Sequence, residues 1–235
     1  MVIGIWLIKK YYPINDPEIG LRNPKLALKT FGFGVGLILI PLIITLLLTA
    51  VFDWGSISIN TSGPFLYTFL VAFIATMFTD GLPEELLFRG MLYSNLNVRY
   101  SKLKSSAIAV LLFTLFPFVI VGIQKLMGNG VFIGATDRIT PSFVITMLFF
   151  GSFMQYLRIL TNSVWTSVGF HTLFVFMNVL IGTEPNNLIQ FSNMQRETPM
   201  QVTLISLVVL TFIWLLAYPR ITKRPIDWKT KISAT

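Results

Sequence analysis

The chain contains no cysteine and a single histidine in 235 residues. Those two scarcities exclude a disulfide scaffold, a cysteine nucleophile and any zinc-finger-type cluster. Charge is scarce as well: Asp, Glu, Lys and Arg make up 12% of the residues, about half of the roughly 25% found in soluble domains. No repeat of 20–50 residues and no low-complexity stretch is apparent. Whatever chemistry the protein performs must therefore use carboxylates, hydroxyls, amides and His171. What is abundant is apolar: 54% of the residues are hydrophobic and 21 are phenylalanine, which disfavours a soluble protein and points to lipid-facing surface.

A hydrocarbon core about 30 Å thick asks for about 20 mostly apolar residues per helix. Six windows answer to that description: Thr30–Phe52, Pro64–Thr79, Ser105–Leu126, Thr140–Leu160, Ser163–Gly182 and Met200–Tyr218. Pro41 is tolerable inside the first because it lies in a membrane. The second is short, and its helix is expected to run on past Asp80 into GLPEELLFRG, with Gly81 and Pro83 allowing a kink. The opening MVIGIWLI is too short to span and meets KKYYP at once, so residues 1–29 read as an interfacial or cytoplasmic segment. It lacks the basic start and the small-residue cleavage site of a signal peptide. The expected fold is all-α, a polytopic transmembrane bundle over 30–218 with a basic tail over 219–235.

The net charge of +8 would suggest nucleic acid in a soluble protein; here its placement suggests orientation. Five of the 18 Lys and Arg precede the first span (Lys9, Lys10, Arg22, Lys25, Lys29) and five follow the last. With both termini on the inner side, 15 of the 18 fall on that side and 3 on the other. The positive-inside bias thus predicts cytoplasmic termini in a plasma membrane of bacterial type, and contact with anionic lipid is a by-product. No nucleic acid partner is implied.

Asp80, Glu84, Glu85 and Arg89 gather at the inner end of the second span. A charge at the bilayer centre costs about 2.5–3.5 kcal/mol on insertion scales, so such groups are paired or functional. On a helix Glu85 and Arg89 stand i,i+4 and can pair, while Glu84 points about 100° away. Glu85 would then be held ionised, and Glu84, partly desolvated, would suit general-base work. The same spacing also fits a plain helix end at the lipid headgroups. In TFGFGVG the glycines follow no strand and so form no nucleotide fingerprint, whereas Gly32 and Gly36 have the small-xxx-small spacing of close helix packing. Asn60-Thr61-Ser62 matches a glycosylation acceptor, read as a chance match in a bacterial-looking chain.

EELLFRGML, residues 84–92, closely resembles the E-E-x-x-x-R motif of the CAAX protease and bacteriocin-processing family of intramembrane endopeptidases, which includes the Rce1-type prenyl proteases. Residues 151–178, GSFMQYLRILTNSVWTSVGFHTLFVFMN, resemble that family's later region: a glycine-containing helix, a Y-L-R turn, a T-x-S-x-W start and a histidine helix. The resemblance covers roughly Phe65 to Leu180. It implies that Glu84 is the general base activating a water, that Glu85 and Arg89 are the accompanying structural pair, and that His171 helps stabilise the oxyanion. Two positions depart from the family pattern. Its F-x-x-x-H motif is met by Phe113-Thr-Leu-Phe-Pro117, without the histidine, and its H-x-x-x-N motif has Val175 where asparagine belongs. Thr114 and the Phe113 carbonyl, which Pro117 cannot bond, are candidate substitutes at the first gap, and Asn178 at the second.

Counted inward from the cytoplasmic side, His171 lies about eight and Pro117 about twelve residues into their helices, or roughly 12 and 18 Å deep. A cavity opening to the cytosol follows. The resemblance thus implies an endopeptidase acting on a membrane-associated peptide or protein near the cytoplasmic face. The other reading is a catalytically impaired relative that binds a membrane peptide in a self-immunity or regulatory role. A transporter is disfavoured by the lack of intramembrane charge chains or inverted repeats. No cofactor is called for; a divalent metal would have one histidine and otherwise only carboxylates to hold it.

Overall fold

The computed structural model of the chain describes residues 16–60, 63–128, 139–182, 187–192, 197–223 and 225–232. The segment MVIGIWLI, Thr61 and Ser62 lie outside these. The described helices are α1 (Asp16–Ile19), α2 (Pro24–Val51), α3 (Gly63–Thr76), α4 (Leu82–Glu85), α5 (Tyr93–Arg99), α6 (Lys102–Leu126), α7 (Pro141–Thr161), α8 (Val164–Leu180) and α9 (Glu197–Ile221). Two π-helical segments, π1 (Met77–Gly81) and π2 (Leu86–Leu92), join α3 to α4 and α4 to α5. The chain is therefore helical without a break from Gly63 to Arg99, as the expected extension past Asp80 required.

Local chemistry sets the starts. The Asn23 side chain accepts from the Leu26 N–H at 3.0 Å ahead of Pro24, and Thr140 accepts from the Phe143 N–H at 3.2 Å ahead of Pro141. Both combine an N-cap oxygen with proline at the first helical position, where its missing N–H costs nothing. At the other end of α7, Asn162 takes the left-handed conformation, φ 48°, that commonly stops a helix.

Among the described residues five stretches are long and apolar enough to cross a membrane: Pro24–Val51, Leu66–Arg99, Lys102–Leu126, Pro141–Thr161 and Val202–Ile221. The sixth expected window differs. Its helix α8 has 17 residues, at the lower limit of the about 17–25 that span a bilayer, because Ile181 and Gly182 leave the helix as strand β2 (Ile181–Gly182). That strand runs parallel to β3 (Ile189–Ser192), and β1 (Ser56–Ile59) pairs with β3 antiparallel, Ser56 opposite Ser192 and Ile59 opposite Ile189. This small sheet is an addition to an otherwise helical fold. Strands of two and four residues are at or below the shortest run over which alternation can be read.

The chain divides into two compact units. The first comprises Met1–Leu21, Glu85–Val164 and Asp227–Thr235. In it α6 packs along α7, and both pack against π2. Arg158, 2% exposed, ties it internally: its guanidinium donates to the carbonyls of Glu18 (2.7 Å) and Arg89 (3.2 Å) and to the Asn162 side chain (2.9 Å). The end of the chain folds back here. The N–H groups of Lys102 and Leu103, at the start of α6, donate to the carbonyls of Thr230 and Trp228, so the tail supplies caps that the helix itself lacks.

The second unit comprises Arg22–Glu84 and Trp165–Ile226. In it α2 packs along α9, and α2 crosses α8 with backbones almost touching. A Cβ on Gly34 would collide with the Thr166 carbonyl oxygen, and one on Gly169 with the Phe31 carbonyl oxygen. The packing glycine of TFGFGVG is thus Gly34. Gly32 has nothing within 4 Å of such a Cβ and Gly36 only the tip of Ile40 at 3.9 Å, so the pair expected from spacing makes no close helix contact. Spacing identifies a small stripe; the partner helix, here with its own glycine, decides which position is used.

Candidate active site

In the second unit the site is assembled by a close approach of π1 to α8. Pro83 has no N–H to continue an i→i−4 ladder, and just before it the Leu82 N–H bonds the Met77 carbonyl across five residues. π-bulges of this kind recur at functional sites. The bulge ends on Gly81, where an added Cβ would collide with the Thr172 hydroxyl and lie 3.3 Å from the Thr172 nitrogen. Only a glycine lets the segment come this near. Three residues further on, Glu84 Oε2 lies 4.0 Å from His171 Nε2.

The two partners are unequally placed. The side chain of Glu84 is 31% exposed and that of His171 6%, so the carboxylate is accessible while the ring is enclosed. Thr166, Ser167 and Thr172 on the same helix are wholly buried as well. At 4.0 Å the carboxylate and the ring nitrogen are beyond a direct hydrogen bond, which needs about 2.7–3.2 Å. The separation suits one water bonded to both. Asp80 turns to its neighbour, accepting from the Thr79 hydroxyl at 2.9 Å.

Glu85 and Arg89 lie in the first unit and do something different. Arg89 Nη1 donates to Glu85 Oε1 at 2.9 Å, with side-chain exposures of 1% and 0%. The i,i+4 pair expected from spacing is therefore present and fully desolvated. Arg89 also donates to the Gly151 carbonyl at 3.3 Å, and its guanidinium carbon sits 4.0 Å from the centroid of the Phe113 ring. That ring meets Phe88 edge-on at 5.3 Å. A Cβ on Gly151 would approach Phe113 Cδ1 to 3.0 Å and Arg89 Nη2 to 3.5 Å, so this glycine keeps room for the cation and its ring.

Phe113 thus serves as the aromatic platform of a buried guanidinium. Thr114, offered as a substitute donor, gives its hydroxyl to the Val110 carbonyl at 2.9 Å, within its own helix. Pro117 is buried in α6. In α8 Val175 is half-buried, and the side chain of Asn178 lies outside the described residues. The features that spacing missed, the contacts of Arg89 with Phe113 and Gly151 and of Gly81 with Thr172, all join distant parts of the sequence. Among the described residues no group of three or more His, Cys, Asp and Glu is placed to hold a metal ion; Glu84 and His171 together offer two donors.

No curated protein and no solved structure matches the chain. A family match does exist, over residues 65–177, a stretch that contains both glutamates, Arg89 and His171 and the π-helical segments that place them. Over that region the chain is similar to the Rce1-like family of type II CAAX prenyl endopeptidases.

Proposed function

We propose that the protein is an intramembrane endopeptidase of the CAAX protease and bacteriocin-processing type, hydrolysing a peptide bond near the cytoplasmic face with a water activated by Glu84. The observation that carries this reading is the 4.0 Å approach of Glu84 Oε2 to His171 Nε2, between two motifs separated by more than 80 residues. A water held by both is oriented and polarised. Glu84 takes its proton as the oxygen adds to the scissile carbonyl carbon, and His171 stabilises the oxyanion that forms. The tetrahedral intermediate collapses as the C–N bond breaks, and the proton passes from Glu84 to the departing amine. Glu85 and Arg89 hold the local backbone and field without touching the substrate. The substrate is a membrane-associated peptide or protein, reached from the cytoplasmic side of the cell membrane, with both termini in the cytoplasm.

A positioned general base contributes roughly 10²–10⁴-fold. Glu84→Gln is therefore expected to lose turnover of a membrane peptide by at least 10²-fold while melting like the wild type in detergent, and His171→Ala to lose turnover too. Equal turnover in wild type and Glu84→Gln would sink the proteolytic reading. A second reading, a non-catalytic relative that binds a membrane peptide in self-immunity or regulation, is favoured by Pro117 and Val175 standing where the family has histidine and asparagine. It expects a wild-type phenotype from both variants.

A further inference from the structure

Six threonines within these helices share one habit. Thr30, Thr45, Thr49, Thr114, Thr161 and Thr211 each return their hydroxyl to the carbonyl four residues back, at 2.8–2.9 Å. This is the ordinary way to satisfy a hydroxyl inside an apolar helix. Thr172 departs from it. It is wholly buried, and among the described residues its Oγ1 finds no hydrogen-bond partner. A buried hydroxyl left unbonded costs about 1–3 kcal/mol, a cost that the other six threonines avoid through the carbonyl four residues back.

The rotamer it keeps turns the hydroxyl toward Gly81, on the same helical stretch as Glu84. Residues three apart on a helix are neighbours, about 5–6 Å between Cβ positions. Consecutive residues of α8 therefore face this stretch together, His171 toward Glu84 and Thr172 toward Gly81. We infer that Thr172 is a further catalytic residue, its hydroxyl donating to the oxyanion formed at the Glu84–His171 pair in place of the donor that Val175 does not supply. The inference rests on the proteolytic reading of that pair. It accounts for a cost that the folded protein otherwise bears with no return.

Removing one oxyanion donor lowers kcat by roughly 10²–10³-fold. Thr172→Val should show that loss in kcat with KM little changed, as for an interaction made in the transition state, while Thr172→Ser stays near wild type. Thermal unfolding in detergent separates this from a structural role: with no internal bond to lose, Thr172→Val should melt at or above the wild-type temperature. Should the valine methyl be too large beside Gly81, Thr172→Ala against Thr172→Ser carries the same comparison. Full turnover in Thr172→Val while Glu84→Gln is inactive overturns this assignment alone. A fall in melting temperature with kcat unchanged does so as well. Wild-type turnover in Glu84→Gln removes the proteolytic reading, and this assignment with it.

Discussion

Glu84 and Glu85 are neighbours in sequence, yet burial gives them unlike roles. Glu85 is wholly enclosed with Arg89, and neither charge could remain there alone: breaking a buried pair by removing one partner costs about 3–5 kcal/mol, whereas replacing both by apolar groups of similar volume is often neutral. Arg89→Ala is expected to destabilise the protein by about that amount in detergent unfolding, and Glu85→Leu combined with Arg89→Met to recover most of it. An Arg89→Ala protein as stable as wild type would deny the pair its structural role. The pair itself was legible, since i,i+4 spacing needs only a helix, and the ion pair at 2.9 Å follows from it. Phe113 and the Gly151 carbonyl were not legible as its supports. They come from positions 24 and 62 residues further along than Arg89, and nothing in local spacing specifies contacts at that range. The Glu84–His171 approach falls between these cases: each residue stood out as a polar group in an apolar helix, while their pairing came into view through the family resemblance and not through periodicity.

At the scale of elements, hydrophobic length located the long helices, and its one overreach is α8, where the apolar window includes residues that the small sheet takes. The π-helical segments could not be read from composition; what the sequence supplied was Gly81 and Pro83, the residues that disturb a regular ladder. Helix packing shows the same limit in the glycines. Gly34 and Gly169 face backbone atoms of the opposite helix, which cannot rotate aside as a side chain can. Overpacking commonly costs about 1–3 kcal/mol, so Gly34→Ala and Gly169→Ala should each lose at least that and lower the melting temperature. Gly32→Ala meets open space and Gly36→Ala only ordinary contact with the tip of Ile40, so both should be neutral or gain about 0.5–1 kcal/mol from reduced backbone freedom in the unfolded chain. The reverse ranking in a thermal scan of the four variants would contradict the α2–α8 crossing.

For the whole molecule the decisive question is which way the helices run through the bilayer, because a site that hydrolyses a peptide at the cytoplasmic face requires Glu84 to enter its span from that side. The asymmetry of Lys and Arg along the sequence predicts cytoplasmic termini, but not every cation contributes equally. Arg158 is buried and spent on internal bonds, so the orienting charge rests on exposed groups such as Lys104 and Lys229. Lys229 belongs to the segment whose neighbours Trp228 and Thr230 cap α6, so the tail should lie on the same side of the membrane as the start of that helix. The absence of cysteine makes this directly measurable, since one introduced thiol is the only one to react. Lys104→Cys and Lys229→Cys are expected to resist a membrane-impermeant maleimide in intact cells and to label once the membrane is permeabilised. Ser58→Cys, exposed in β1 and on the loop with no lysine or arginine, should label in intact cells. Labelling of Lys104→Cys or Lys229→Cys from outside would reverse the orientation and set the Glu84 end of its span facing away from the cytosol. A cytoplasmic endopeptidase could not work from there, whatever the geometry of its carboxylate and histidine.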